Sequence, residues 1–323
     1  MFAISTELRD LAREGDDAPP PSVDEFARYV QDLGARGAVV APGHSPVRLR
    51  VVLETLPVAG CPVLAIASPN PRPDGFERHP EWLAALSLSD AEDARRVVAE
   101  RAARRTIELA AERRVGDVIV DLGSVVWPED AVEAEDQLAS VDLSTSSLVE
   151  RYVRASLEIR ARFAPAQFDA ARRSLDALLP AAERLGVVLS VRAPARVAAI
   201  PAFRELETIA REFDGAPLGV WADAAGAFAL SAMKLKPADS WIRTFAARLR
   251  GIDLADAKHG DAGGLVRGLR PGEGAIDFAA LLATLREACG ERPVVCALAC
   301  GVEGDRGLTR ESVSHLRRAG WLA

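Results

Sequence analysis

The sequence predicts a (β/α)8 barrel, a TIM barrel of class α/β, and three observations carry that expectation. Short apolar runs rich in Val, Ile and Leu recur along the chain, they are continuous rather than alternating, and longer amphipathic stretches separate them. Parallel strands covered by helices read as continuous apolar runs. Eight such strand–helix units are the number that closes a barrel. The 323 residues suit a single barrel domain over 1–323.

Taken in order, the first strand is expected at Phe2–Ser5, followed by the acidic, proline-rich Gly15–Pro21 as a turn or exposed loop. A helix over Ser22–Gly34 leads to strand Gly37–Ala41, and a helix over Pro46–Leu56 leads to strand Val63–Ala67. The long helix Ala91–Arg113 has Ser89 or Asp90 ahead of it and Glu92 and Asp93 in its first turn, a pattern that caps a helix and complements its dipole. Strand Asp117–Asp121 follows, and then Trp127–Ser147, an acidic, Ser-rich insertion where loops shape a barrel mouth. Helix Ala164–Leu185, strand Val187–Val191, helix Ala202–Phe213, strand Leu218–Ala222 and helix Ala238–Arg250 continue the alternation. Strand Gly251–Leu254, helix Phe278–Cys289 capped by Asp277, strand Pro293–Leu298 and helix Thr309–Ala319 close the ring.

Charge and composition exclude several functions. With 47 acidic against 40 basic residues the formal charge is −7, a field that repels a phosphate backbone. No apolar run reaches the roughly 20 residues that cross a bilayer, and Met1–Arg9 lacks the basic-then-apolar layout of a signal peptide. A cytoplasmic protein with neither nucleic-acid nor membrane partners is expected; a homo-oligomer is left open. Cys61, Cys289, Cys296 and Cys300 show no CxxC spacing, so neither a disulfide framework nor structural zinc is indicated. There is no GxSxG elbow, P-loop or GxGxxG after a strand, and Gly263 with Gly264 is too short to count.

The most specific stretch is GIDLADAK at Gly251–Lys258, followed after a short loop by PGEGAIDF at Pro271–Phe278. Gly272 and Gly274 permit a tight backbone with positive φ, and Asp277 caps the next helix. These stretches resemble the seventh strand and following turn of the xylose isomerase-like barrels, the family of sugar isomerases, epimerases and endonuclease IV. RLGVVLSVR at Arg184–Arg192 resembles the family's fifth strand, LGVWAD at Leu218–Asp223 its sixth, and Arg95–Gly116 its long helix before strand four.

The resemblance implies a divalent ion at the barrel mouth, held by Glu, Asp, His and Glu from strands five to eight. The matching positions here are Arg192, Asp223, Asp253 and Ala297, and Gly226 stands where a His follows strand six. One ligand is unchanged. A guanidinium that is always charged opposes a cation among these side chains. We therefore expect no metal cofactor, with Arg192 in the ion's place and paired to Asp223, Asp253 or both. The competing expectation is Mg2+ or Mn2+ on Asp223, Asp253 and Asp256, with His259 near in sequence, should Arg192 point away.

For activity, the resemblance implies a sugar or sugar phosphate isomerase or epimerase acting on a small hydroxy-carbonyl or polyol ligand. Arg192, Asp223, Asp253 and His44 are the candidate catalytic residues, with the guanidinium polarising a carbonyl and Asp223, Asp253 or His44 as acid and base. Asp121, Asp256, Lys258 and His259 are candidate ligand-binding residues. Each has a plainer role beside it: Arg192 bracing loops, Asp121 capping a turn, Asp256 supporting the site, Lys258 as a solvated charge and His44 as a surface residue. His79 and His315 look peripheral. The alternative function is a non-catalytic barrel that binds a ligand or a partner, because a fold does not fix a function.

Overall fold

The computed structural model describes residues 1–6, 22–76, 83, 86–126, 146–193, 196–260, 264–298 and 306–322. The Gly15–Pro21 loop, His79, Cys300, Gly263 and all but the last two residues of the Trp127–Ser147 insertion lie outside them. The barrel strands are β1 (Phe2–Ser5), β2 (Ala38–Val40), β3 (Val63–Ala67), β4 (Asp117–Val120), β5 (Val188–Arg192), β6 (Leu218–Asp223), β7 (Leu249–Asp253) and β10 (Val295–Leu298). They close in the order β1-β10-β7-β6-β5-β4-β3-β2, and every barrel pair is parallel. The fold class is therefore a (β/α)8 barrel. The two remaining strands, β8 (Asp256–His259) and β9 (Leu265–Leu269), form an antiparallel hairpin after β7.

The outer helices are α1 (Val23–Asp32), α2 (Pro46–Val58), α3 (Asp93–Glu112), α4 (Ser146–Leu185), α5 (Phe203–Glu212), α6 (Ala224–Ala232), α7 (Ser240–Phe245), α8 (Phe278–Cys289) and α9 (Arg306–Arg318). Local chemistry explains their starts. Ser22 and Glu25 exchange hydrogen bonds in a capping box before α1, Ser45 accepts from the Arg48 amide ahead of α2, and Asp277 accepts from the Ala280 amide ahead of α8. Helix α3 begins at Asp93 rather than Ala91, with Glu92 as its N-cap and no side-chain cap bond; Ser89 pairs with Ser87 instead.

Four features differ from the sequence expectation. Helix α4 starts at Ser146 rather than Ala164 and runs 40 residues, with Pro165 and Pro180 inside it. Pro165 reads as a start signal because proline suits a first turn, but the helix gains upstream packing: Arg160 is buried and donates to the Val197 carbonyl and to Glu205. Helix α6 is small and apolar almost throughout, so no amphipathic period announces it; Asp223 caps it through the Gly226 amide. The β8–β9 hairpin occupies what reads as a loop, and the helix expected over Ala238–Arg250 is the short α7 plus a 3-10 turn over Ala246–Arg248.

Two layers of core result. Leu, Ile and Val facing out from the strands pack against the helices, with Ile107, Leu175, Leu178, Leu189 and Leu206 fully buried. Inside the barrel lies a smaller cluster of Ala3, Val39, Ala65, Ala67, Ile119, Trp221, Val295 and Ala297. One indole thus fills an interior otherwise lined by aliphatic side chains, four of them Ala. At the barrel floor Arg250 reaches from β7 to Asp117 on β4 with two hydrogen bonds of 2.9 and 2.8 Å, and Ser190 donates to the same carboxylate at 3.2 Å.

Candidate functional site

Arg192, Asp223 and Asp253 end β5, β6 and β7, so the alternation of a strand aims all three at the barrel's C-terminal mouth. Asp223 and Asp253 stand in register on adjacent strands, and Ala297 stands in register with Asp253 on the other side. Arg192 Nη1 donates to Asp253 Oδ2 at 2.5 Å, and its Nε lies 3.4 Å from Asp121 Oδ1. The second oxygen of Asp253 accepts from Trp221 Nε1 at 2.8 Å. Both carboxylate oxygens are thereby engaged, by a cation and by a buried indole, in a side chain only 8% exposed. Asp223 Oδ1 accepts from the Gly226 amide at 3.0 Å, as the cap of α6.

Beside this pair opens a cavity of about 370 Å³. Its polar wall is Arg192, Arg196, Asp121, Asp223, Ser68 and Ser124, and Leu83, Leu86 and Leu88 form the apolar side. A volume of this order holds a compact small molecule. Two guanidiniums, two carboxylates and two hydroxyls around one space offer donors and acceptors to a polyhydroxylated ligand.

His44 lies on the opposite arc, beyond β2. Its Nε2 is 3.1 Å from Thr6 Oγ1, its amide donates to Asn70 Oδ1 at 3.1 Å, and its carbonyl accepts from the Arg72 amide at 2.9 Å. Burial, and secondarily the positive Arg48 beside it, hold the imidazole pKa down to about 4. The ring is neutral at physiological pH, a state suited to a base. His44 does not line the cavity next to Arg192.

The remaining candidates separate from the mouth. Asp256 is 1% exposed and turned into the GEG turn: Oδ2 accepts from the Gly272 and Gly274 amides, both at 2.9 Å, and Oδ1 from Ile276 at 3.1 Å and Ala257 at 2.8 Å. Gly272 has φ +97°, and a Cβ on Gly274 would stand 2.2 Å from Asp256 Oδ1, so close approach to this carboxylate explains the second glycine. Lys258 and His259 sit exposed on the β8–β9 hairpin, where His259 lies near Phe228 at a centroid distance of 6.2 Å. His315 packs edge-on against Phe278 on the outer layer. Sequence reasoning missed Trp221, Thr6 and Asn70. The only signal for Asn70 is its place between two prolines after β3, Pro69 and Pro71.

A divalent ion requires several converging oxygen or imidazole donors. At these strand ends Ala297 offers none, Asp253 has both oxygens engaged, and Arg192 places a permanent positive charge 2.5 Å from the carboxylate an ion would need. Among the described residues no group of three or more His, Cys, Asp or Glu side chains is arranged to hold a metal. The described residues at these strand ends do not fit a divalent ion.

Comparison with known proteins supplies the family. The family model described as "Xylose isomerase-like TIM barrel" matches residues 15–319. Among solved structures, the 3-keto-D-glucoside 4-epimerase of E. coli superposes with a TM-score of 0.64 at 16% identity, covering 98% of this chain and 98% of that one. An L-ribulose 3-epimerase matches with a TM-score of 0.64 at 14% identity over 98% of this chain and 93% of the other. The D-psicose 3-epimerase of Clostridium cellulolyticum H10 gives 0.62 at 14% identity over 99% and 98%. Likeness at such identities concerns the fold. No curated protein matches significantly, and among the described residues no helix is long and apolar enough to cross a membrane.

Proposed function

The chain belongs to the xylose isomerase-like TIM barrel family, and on that premise we propose that it acts as an isomerase or epimerase on a small hydroxy-carbonyl compound, a sugar or sugar derivative, without a divalent metal. Solved relatives include enzymes that epimerise keto sugars and a keto-glucoside, which supports the substrate class. The observation that carries the reading is Arg192, anchored by Asp253, in the wall of a cavity that also holds Asp121 and Asp223.

In this reading the ligand carbonyl faces the Arg192 guanidinium, whose N–H groups stabilise the oxyanion that develops when a neighbouring C–H bond breaks. Asp223 or Asp121 takes that proton as the general base. Delivery of a proton to the opposite face of the same carbon by the other carboxylate gives epimerisation, the first carboxylate keeping the proton it took until solvent resets both. Returning the abstracted proton to the former carbonyl carbon, with a hydroxyl proton moved to balance charge, gives isomerisation. Both are redox-neutral overall and need no co-reactant. Asp253 holds the guanidinium in place, and Trp221 holds Asp253. His44, neutral and fixed by Thr6 on the opposite arc, is the second candidate base.

A second reading, a barrel that binds such a ligand without turning it over, is favoured by one observation: Asp223 and Asp253 both spend hydrogen bonds on the protein itself. Incubation with keto sugars, sugar phosphates and sugar acids in D2O with chelator separates the two. Proton NMR then detects deuterium entering carbon next to the carbonyl. Exchange that chelator leaves intact and Arg192→Met abolishes supports the enzyme. Saturable binding with no exchange in any ligand class supports the binding protein, and exchange that appears only with added Mn2+ rejects the metal-free mechanism.

A further inference from the structure

We propose that the corner between β2 and α2 is a second binding site, an oxyanion subsite in which Arg48 receives a carboxylate or phosphate group on one edge of its guanidinium. It stands on a separate observation from the Arg192 reading. Arg48 Nε and Nη2 are both buried and both lack a hydrogen-bond partner. These are the two N–H groups along a single edge, the pair whose parallel bonds match two oxygens of a carboxylate or phosphate. Among the described residues no Asp or Glu pairs with Arg48.

Arginine cannot relieve that position by losing its proton. A desolvated guanidinium edge with no acceptor is unfavourable, and an anion is the partner that removes the penalty. The corner is also built rather than incidental. His44, beside Arg48, is fixed through its amide by Asn70 and through its carbonyl by the Arg72 amide. Asn70 is fully buried and in turn donates to the Ala41 and Ala67 carbonyls at 2.7 Å each.

Thr6 Oγ1 accepts from the Ala41 amide at 2.8 Å and shares a hydrogen bond of 3.1 Å with His44 Nε2, which fixes the orientation of the ring. Among the described residues the surroundings thus supply a fixed frame and no acidic partner for the Arg48 edge. Thr6, His44 and Asn70 follow β1, β2 and β3, so the corner belongs to the barrel's C-terminal face, where barrel ligands bind. It lies on the arc away from Arg192.

Isothermal titration with inorganic phosphate and with acetate tests the subsite directly, with His44 ring resonances followed by NMR to locate binding. Saturable binding that perturbs His44 and weakens about tenfold or more in Arg48→Gln is expected, with Arg101→Gln, at an exposed position on α3, unaffected. Arg48→Lys guards against a folding defect: it keeps the charge and loses the fork, so binding should still fall while the melting temperature holds. Tighter binding of a sugar phosphate or sugar acid than of either free anion or the neutral sugar would identify the subsite as an anchor for a ligand's anionic end. Equal binding would identify a free-anion site. Absence of saturable binding, or binding unchanged in both Arg48 variants, overturns the proposal. None of these outcomes depends on turnover at Arg192.

Discussion

Trp221 stands in register with Gly251 on the neighbouring strand and covers the space a side chain there would fill: a Cβ on residue 251 would lie 2.4 Å from the indole ring. The missing side chain lets the largest interior residue lie across the barrel and deliver its N–H to Asp253. A packing relationship inside the barrel thus sets the position of a carboxylate at its mouth.

Gly251→Ala should therefore act on both. Overpacking a filled core costs about 1–3 kcal/mol, and here the clash is with a rigid ring that has no exposed surface. The expected result in urea denaturation is a loss near the upper end of that range. Gly251→Ala combined with Trp221→Leu should recover part of it, because the two changes share one space. Additive losses would show that the ring and the glycine are not coupled.

Removing the cation at the mouth leaves the Asp253 carboxylate buried, with the Trp221 indole still donating to it. Breaking a buried ion pair by deleting one partner costs about 3–5 kcal/mol. The Arg192 side chain is 24% exposed and Trp221 still serves Asp253, so Arg192→Met should fall at or below the low end, about 2–3 kcal/mol. Arg192→Met with Asp253→Asn should be less destabilised than Arg192→Met alone, since the stranded charge is gone. A melting temperature unchanged in Arg192→Met would reject the pairing as a source of stability.

The GEG turn is organised around one anion, and its loss should be local. Asp256→Asn removes the charge that receives the Gly272, Gly274, Ile276 and Ala257 amides. Hydrogen bonds to charged groups contribute about 1.5–3 kcal/mol. We expect faster amide hydrogen exchange confined to residues 270–276, with the barrel strands unaffected. Exchange that stays slow would mean the turn holds itself without the carboxylate.

The barrel was legible because strand burial is written into local composition. Phe2–Ser5 and Val63–Ala67 have the same bounds in sequence and structure, since apolar runs this short between longer amphipathic stretches fit a buried parallel strand. Helix α6 was not legible, because AAGAFALSA has no polar face to set a period. Helix α4 was half legible: Pro165 speaks for a boundary locally, while the packing of Arg160 that overrides it comes from residues 37 and 45 positions away. The mouth divides in the same way. The family resemblance picked out Arg192, Asp223 and Asp253, but not which carboxylate the guanidinium takes. That choice is made by Trp221, whose role depends on a glycine on another strand. Asp256 lay in the most recognisable motif of the chain and is turned toward that motif's own backbone, a direction spacing does not encode.

His44 supplies the pH dependence. Burial first, and Arg48 second, depress its pKa from 6.5 to about 4, so the unfolded chain binds its proton more readily than the folded one. The stability this neutral histidine contributes is complete above about pH 6.5 and is lost as the pH falls toward 4, by ~3 kcal/mol in total. Unfolding free energies measured across that window should slope downward with acid, and the slope should be shallower in His44→Gln, whose side chain cannot titrate. The His44 ring carbons should move with a midpoint near 4 in NMR titration. A midpoint near 6.5 would mean that the imidazole accepts a proton freely, and with it would go the neutral ring assigned to Thr6 and to any base chemistry on that arc.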